Sequence, residues 1–576
     1  MTPDRDDDTH LLLRAFVDEL ARCGMRAACT SPGSRSAPLV LALAREQRLR
    51  CFSHVDERCA GFFARGLAKA SGLPVALACT SGTAAAQLLA VAVEAREARV
   101  PLLLLTADRP AELRENGAGQ AIDQLKLFGS AAKWFFEVEL GGAGEQQLPW
   151  IRTLACRAYA TALEGAPGAV HLNFPLREPL VSDGELPRDD SGRPDGRPYV
   201  VRTPTQPQEA QARALGELVG GARRGVIVAG RHERATRLGE AAAAFAERRG
   251  WALLADPMSS ARRGTAAVAH YDALLRVEAF AREATPDVIV RVGDLPVSKP
   301  LRSWLARQPD AVQVALDVEG AWQDPDAALT HSFALEPAAT LRALAVKDDA
   351  PAGSEWLQAW RSADQLAAEA IAGSLGREEL SEPSVAAELG VLLAHQATLF
   401  VASSMPVRDI ETFWPVRPDP PRVLCNRGAN GIDGTVSSAF GASAAEGGPV
   451  VLLIGDVALA YDIGGLLAAG RLDLKLTIVL LDNGGGGIFD FLPISGVDDG
   501  LYTTHIATPT GLDFAQAATL YGLDYERPGD LAGLRAALER GLAADRSTLI
   551  HVRSERAENV ALHRRVWEAV HKAVGR

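Results

Sequence analysis

Short runs of aliphatic and β-branched residues recur along the chain, and the segments between them carry apolar residues at helical rather than alternating spacing. Val450 to Ile454 and Leu476 to Leu481 show this most plainly, predicting two buried parallel strands with a helix between them. The same alternation begins at an amphipathic segment, Leu11 to Cys23, followed by a strand over Arg26 to Thr30. It continues through FSH, PVALAC and PLLLL to a strand over Ala169 to Phe174, closed by Pro175 and Pro179. GVIVAG, WALLAD, PDVIVRVGD and VQVALDV repeat the pattern between Ala-rich helices, and a third series starts with Thr398 to Ser404 and ends at STLIHVRSER. This predicts an α/β protein built from three open parallel sheets.

Two stretches break the pattern. GELPRDDSGRPDGRP has no apolar periodicity and predicts a linker over 183–209; VKDDAPAG precedes a helix from Ser354 to Ala372 and predicts a second break over 346–380. The expected domains are therefore 1–182, 210–345 and 381–576. A chain of 576 residues has room for three or four domains of ordinary size. A net charge of −12 argues against general nucleic-acid or anionic-membrane binding, so an anionic substrate must be held by local arginines. The acidic opening MTPDRDDDTH is unlike a signal peptide, and no apolar run approaches membrane-spanning length, so a cytoplasmic protein is expected. The seven cysteines, an odd number without CxxC or zinc spacing, read as small buried residues and not as nucleophiles.

Candidate chemistry gathers where strands end, because the loops at the carboxyl edge of such sheets hold ligands. Gly455-Asp456 follows one predicted strand, and Asp482-Asn483 with a run of glycines follows the next. The Asp456 carboxylate, the Asn483 amide oxygen and a backbone carbonyl make a hard-cation site with too few ligands to enclose Mg²⁺, which commonly completes its shell with phosphates and water. A diphosphate is the expected companion. In the first region SPGSRS places Ser34 and Arg35 at a helix start that suits an anion, with Ser34 or Ser36 able to cap it. Asp56 and Glu57 open another helix, where acidic residues complement the dipole; a Glu57 pressed against Phe62 and Phe63 would instead bind its proton more tightly. Arg109 ends the PLLLL strand, free for a ligand or paired with Asp108 or Glu112, and Gln120 lies in a Gly-rich loop. In the middle region Gly230-Arg231-His232 lacks GxGxxG, which weakens a dinucleotide site, and Lys299 is the one candidate ligand.

SPGSRSAPL, FSHVDERCAGFFARGLAKASGLPVALACTSGTA, LLTADRPAEL, SSMPVRDI, NRGANGIDG and NGGGGIFDFLP together resemble the motifs of the 2-succinyl-5-enolpyruvyl-6-hydroxy-3-cyclohexene-1-carboxylate synthase family. These are the thiamine-diphosphate enzymes of menaquinone biosynthesis. The resemblance covers both outer regions in order; the middle region matches mainly through Lys299. It implies a pyrimidine-binding domain, a central domain and a diphosphate-binding domain, with the active site between two subunits of a homodimer or a dimer of dimers. It implies a thiamine-diphosphate-dependent carboligase that decarboxylates 2-oxoglutarate and adds the product to isochorismate. Metal ligands for Mg²⁺ or Mn²⁺ are then Asp456, Asn483 and the Gly485 carbonyl, with Ile488, Phe489 and Leu492 on the cofactor. Glu57 is the implied cofactor-activating glutamate, and Arg408 and Arg427 join it as catalytic residues. Ser34, Arg35, Arg109, Gln120, Lys299, Ser404, Arg408 and Arg427 surround the substrates, Ser404 also touching the cofactor. The chain departs from the family at Val457, at Asp482 and at Gly119, where an Asn often precedes the Gln. An acetolactate-synthase-like carboligase would share the metal motif, though not the combined arginines of SPGSRS, TADRP and NRGANGID. A non-catalytic nucleotide-binding regulator would need neither.

Overall fold

The computed structural model describes residues 5–141, 146–181, 186, 189–201, 209–232, 237–347, 354–445 and 447–575. Among these the strands form three sheets, all of them parallel. The first joins Ala27–Thr30 (β1), Arg50–Ser53 (β2), Val75–Cys79 (β3), Leu102–Asp108 (β4), Ala132–Glu137 (β5) and Ala169–Pro175 (β6) in the order β2-β1-β3-β4-β6-β5. The second joins Gly225–Ala229 (β7), Ala252–Ala255 (β8), Val288–Val292 (β9), Val312–Leu316 (β10) and His331–Phe333 (β11) in the order β11-β10-β9-β7-β8. The third joins Thr398–Val401 (β12), Arg422–Cys425 (β13), Val450–Gly455 (β14), Thr477–Asp482 (β15), Asp524–Glu526 (β16) and Thr548–Arg553 (β17) in the order β13-β12-β14-β15-β17-β16. The first and third sheets thus share one strand order. In each, the chain reverses direction across the sheet between the first strand and the third, the point at whose carboxyl ends open α/β sheets place their ligands.

The apolar runs fill the sheet centres: β3, β4 and β6 are buried along their whole length. Half-exposed β5, β11 and β16 occupy sheet edges; β5 has only the short run Trp134 to Phe136 between Lys133 and Glu137, and β11 and β16 have none, so the hydrophobic pattern announces them weakly. The expected strand over Thr398 to Ser404 stops at Val401, since Met405–Phe413 is already helical.

The chain divides into two compact units, one of Met1–Thr205 with Asn426–Glu446 and Asp462–Leu474, the other of Gln206–Cys425, Gly447–Tyr461 and Lys475–Arg576. In the first unit, helices Glu57–Ser71 and Thr435–Ala444 touch backbone to backbone. A Cβ on Gly66 would lie 2.0 Å from the Ser438 carbonyl oxygen, and one on Gly441 would lie 2.1 Å from that of Phe63. In the second unit, Trp304, Trp360 and Trp414 belong to one continuous core with the apolar faces of β12, β14 and β15.

Part of the expected linker over 183–209, namely 183–185, 187–188 and 202–208, lies outside the described residues, as does 348–353 of the second break. The described part of the first linker is anchored to the first unit. Arg152 binds Asp189 at 2.6 Å and Ser191 at 2.9 Å, and the Tyr199 N–H donates to Glu19. Among the described residues no helix is long and apolar enough to cross a membrane.

Candidate active site

Parallel register in the third sheet pairs Gly455 with Leu481, so Asp456 and Asp482 leave adjacent strands at the same edge. Asp456 was expected in a loop; it is instead the first residue of helix Asp456–Tyr461, which follows β14 without a break. Burial pushes its carboxyl up to about 6, Asp482 adds repulsion, and backbone hydrogen bonds from Val457 and Gly485 oppose the shift. A cation beside it would reverse that cost.

Asn483 shows which way its amide faces. Its Nδ2 donates to Glu382 at 2.9 Å, and Glu382 also accepts from Ser554 Oγ at 2.9 Å. That fixes the amide and leaves the buried Asn483 Oδ1 without a hydrogen-bond partner among the described residues. An orphaned buried oxygen is costly unless something binds it. Beyond it the glycine run is required by space: Gly485 has φ +139°, and a Cβ there would lie 2.6 Å from the Ala507 carbonyl oxygen. The Gly486 N–H donates to that same carbonyl at 2.7 Å. Asp482, which replaces an Asn of the family pattern, is engaged by His551 at 2.8 Å, and His551 in turn by the Tyr525 hydroxyl at 2.8 Å. A carboxylate, an unpaired amide oxygen and a glycine backbone therefore fit a hard divalent cation with a diphosphate. Ile488 is half-buried, while Phe489 and Leu492 are exposed at the short helix that follows, an apolar wall on the surface of the described residues.

Ser404, after β12, is non-glycine yet has φ +75°, a backbone conformation held by its surroundings. Arg408 folds back one turn and donates to the Ser404 carbonyl at 2.5 Å. Because β12 and β14 are neighbours, this group leaves the same sheet edge as Asp456. Lys299 opens helix Lys299–Ala306 beyond β9 with its side chain exposed.

In the first unit the loops after β1, β3 and β4 converge. A Cβ on Gly33 would lie 2.3 Å from Thr80 Cβ, and one on Gly82 would lie 3.4 Å from the Gln120 carbonyl oxygen. Neither Ser34 nor Ser36 caps the helix: Ser36 is at the N-cap position, but its hydroxyl donates to the Gly33 carbonyl. Ser34 is exposed. Arg35 is buried, donating to the Leu176 carbonyl at 2.8 Å and to Glu178 at 3.2 Å, so it is not a solvated arginine. Arg109 pairs with neither Asp108 nor Glu112 through its side chain. Arg114 takes Asp108 at 3.0 Å and Arg177 takes Glu112 at 2.7 Å, while Arg109 Nε donates to the Gly119 carbonyl at 3.1 Å. Burial and then the nearby Arg35 cation hold the Arg109 guanidinium below its usual range. Arg35 Nε and Arg109 Nη1 are buried without partners among the described residues. Two like charges with open donors would suit an anion.

Glu57 begins its helix half-buried, with Asp56 as the cap accepting from the Arg58 and Cys59 N–H groups. Arg427 is half-buried on the loop after β13. Sequence reasoning missed the residues that hold these loops. Gln124 accepts from the Gly82 N–H at 2.8 Å and donates to Asn173, and Asn173 donates to Asp108 at 2.8 Å. Uncharged amides in a sequence carry no signal for such a role.

Family models match three consecutive parts of the chain. "Thiamine pyrophosphate enzyme, N-terminal TPP binding domain" matches residues 12–127, "Middle domain of thiamine pyrophosphate" residues 193–401, and "Thiamine pyrophosphate enzyme, C-terminal TPP binding domain" residues 406–552. The chain is 45% identical over 570 residues to a 2-succinyl-5-enolpyruvyl-6-hydroxy-3-cyclohexene-1-carboxylate synthase of Geobacillus kaustophilus, covering 98% of each. It is 43% identical to that of Geobacillus thermodenitrificans, covering 98% of this chain and 96% of the relative. The likeness to that of Chloroflexus aurantiacus is 41%, over 97% and 96%.

Proposed function

The chain belongs to the 2-succinyl-5-enolpyruvyl-6-hydroxy-3-cyclohexene-1-carboxylate synthase family, and on that premise we propose that it joins 2-oxoglutarate to isochorismate with loss of CO₂, a step of menaquinone biosynthesis. It is a thiamine-pyrophosphate-dependent enzyme of the carboligase type. The cofactor, when bound, supplies the carbon nucleophile and the sink for the electrons left by decarboxylation. Asp456, Asn483 and the Gly485 carbonyl would hold the divalent cation, Mg²⁺ or Mn²⁺, that neutralises its diphosphate. Phe489 and Leu492, with Ile488, would exclude water from its face. Glu57 would hold the aminopyrimidine ring and move a proton at its carboxyl oxygen. Both substrates are dicarboxylates, and the observation that carries the assignment is that Arg35 and Arg109, on converging loops, each keep a buried guanidinium nitrogen without a partner among the described residues. Ser34, Gln120, Lys299, Ser404, Arg408 and Arg427 complete the substrate contacts in this reading.

On the same reading, 1–182 binds the pyrimidine, 210–345 is the central domain and 381–576 binds the diphosphate. A homodimer or a dimer of dimers in the cytoplasm completes each active site from two subunits. The test incubates purified protein with Mg²⁺, thiamine diphosphate, 2-oxoglutarate and isochorismate, omitting each in turn and following products by mass. Formation of the named product only in the complete mixture is expected. Consumption of 2-oxoglutarate with no adduct to isochorismate would reject the assignment.

A further inference from the structure

Glu94 lies in helix Leu89–Ala98, outside the sequence motifs themselves, and is buried at 4% exposure. One carboxylate oxygen accepts Arg65 Nη2 at 2.7 Å and the Gly428 N–H at 2.9 Å; the other accepts the Ala429 N–H at 2.6 Å. Arg65 is fully buried in the helix that Glu57 begins, and its second terminal nitrogen donates to Asn426 Oδ1. Asn426 is tied further to the Asp433 carbonyl at 3.3 Å and to Ser438 Oγ at 3.2 Å. The loop has no spare room either: a Cβ on Gly428 would lie 2.6 Å from the Ala98 nitrogen and 2.7 Å from the Glu94 carbonyl oxygen. Arg427 is the residue enclosed by these fixed points, with Asn426 bound on one side and Gly428 and Ala429 on the other.

We propose that Glu94, backed by Arg65, is a positioning residue that clamps the Arg427 loop so that the Arg427 guanidinium meets a substrate carboxylate in one fixed place. The inference rests on the reading of Arg427 as a substrate-binding residue. A charge-assisted contact depends steeply on placement, and a buried ion pair spent on two consecutive backbone N–H groups fixes a loop at the cost of desolvating both charges. Stability alone would be served as well by an apolar pair. The clamp also links two candidate residues mechanically, because Arg65 belongs to the helix whose first residue is Glu57.

The test is a double-mutant cycle on the full-length enzyme, with Glu94→Gln, Arg427→Ala and both together. Glu94→Gln keeps the shape, removes the charge and weakens the grip on the two N–H groups. Its expected effect is to raise, by about tenfold, the KM of the same substrate whose KM rises in Arg427→Ala, while thiamine-diphosphate affinity by calorimetry with Mg²⁺ present stays within about twofold. In the double variant the KM should be no worse than in Arg427→Ala alone. Multiplied losses, or an unchanged KM in folded Glu94→Gln, would overturn the clamp while leaving Arg427 in place. Unchanged KM for both substrates in Arg427→Ala would overturn the reading of Arg427, and the clamp with it. Should Glu94→Gln not fold, Gly428→Ala enters the same cycle under the same criteria, since it keeps both buried charges and displaces the loop, its Cβ falling 2.6 Å from the Ala98 nitrogen and 2.9 Å from a Glu94 carboxylate oxygen.

Discussion

At the scale of single residues, chemistry and stability separate by what each side chain has left to offer. Glu57 caps nothing itself, because Asp56 takes the first free N–H groups of their helix, and a carboxylate at a helix start with a neighbouring cap is available for a ligand. Glu57→Gln should therefore leave thiamine-diphosphate affinity within about tenfold, roughly 1.4 kcal/mol, yet abolish exchange of the cofactor's C2 proton together with turnover. NMR of C2 deuterium exchange checks this, and exchange at the wild-type rate would remove Glu57 from the activating role. His171 has a different fate. It lies in the core strand β6 beside the Thr106 hydroxyl at 2.8 Å, and burial holds its imidazole down to about 3. The unfolded chain then takes up a proton near pH 6.5 that the folded chain refuses, so stability falls as pH drops below about 6.5, by up to about 1.4 kcal/mol per pH unit. The loss of urea midpoint between about pH 6.5 and pH 5 should shrink in His171→Gln; an identical pH slope in wild type and variant would assign the acid sensitivity to other groups.

At the scale of elements, glycines decide how closely backbones approach. Helices Glu57–Ser71 and Thr435–Ala444 meet through Gly66 and Gly441, where a Cβ would fall almost on a carbonyl oxygen of the facing helix. Gly66→Ala must push the two helices apart, and overpacking of this kind costs about 1–3 kcal/mol. Urea unfolding should show that loss, and because Glu57 begins the displaced helix, turnover should fall even where the protein remains folded. Full stability in Gly66→Ala would mean that the helices yield freely. The strands behave as their neighbours dictate. Central β3, β4 and β6 are legible as apolar runs because both faces are covered, whereas edge strands β5, β11 and β16 pair on one side only and keep polar residues.

At the scale of the molecule, the two compact units each carry part of the inventory. Ser34, Arg35, Glu57, Arg109, Gln120 and Arg427 belong to the first; Lys299, Ser404, Arg408, Asp456, Asn483, Gly485 and the Ile488–Leu492 wall belong to the second. Ligands that bind only the folded chain stabilise it by mass action, about 2.7 kcal/mol at a hundredfold excess over Kd. Mg²⁺ with thiamine diphosphate should thus raise the melting temperature of the wild type, EDTA should cancel the rise, and Asp456→Ala should show none of it. A full shift in Asp456→Ala would remove Asp456 from the metal site. Sedimentation velocity on the same samples is expected to report a dimer or a tetramer.

The sequence by itself determined the α/β class, the central strands and the two strand ends that bear Asp456 and Asn483, because these follow from local hydrophobic runs and from polar residues placed just beyond them. The arginines of SPGSRS and TADRP were also legible as candidates. Their states were not: Arg35 is buried against Leu176 and Glu178, both distant in sequence, and Asp108 pairs with Arg114 instead of Arg109, a choice among nearby arginines that the sequence leaves open. The same holds for Glu382, which turns the Asn483 oxygen free, and for Gln124 and Glu94, which hold the loops. A side chain's unused hydrogen-bonding capacity depends on every neighbour that reaches it, and only the tertiary structure brings those neighbours together.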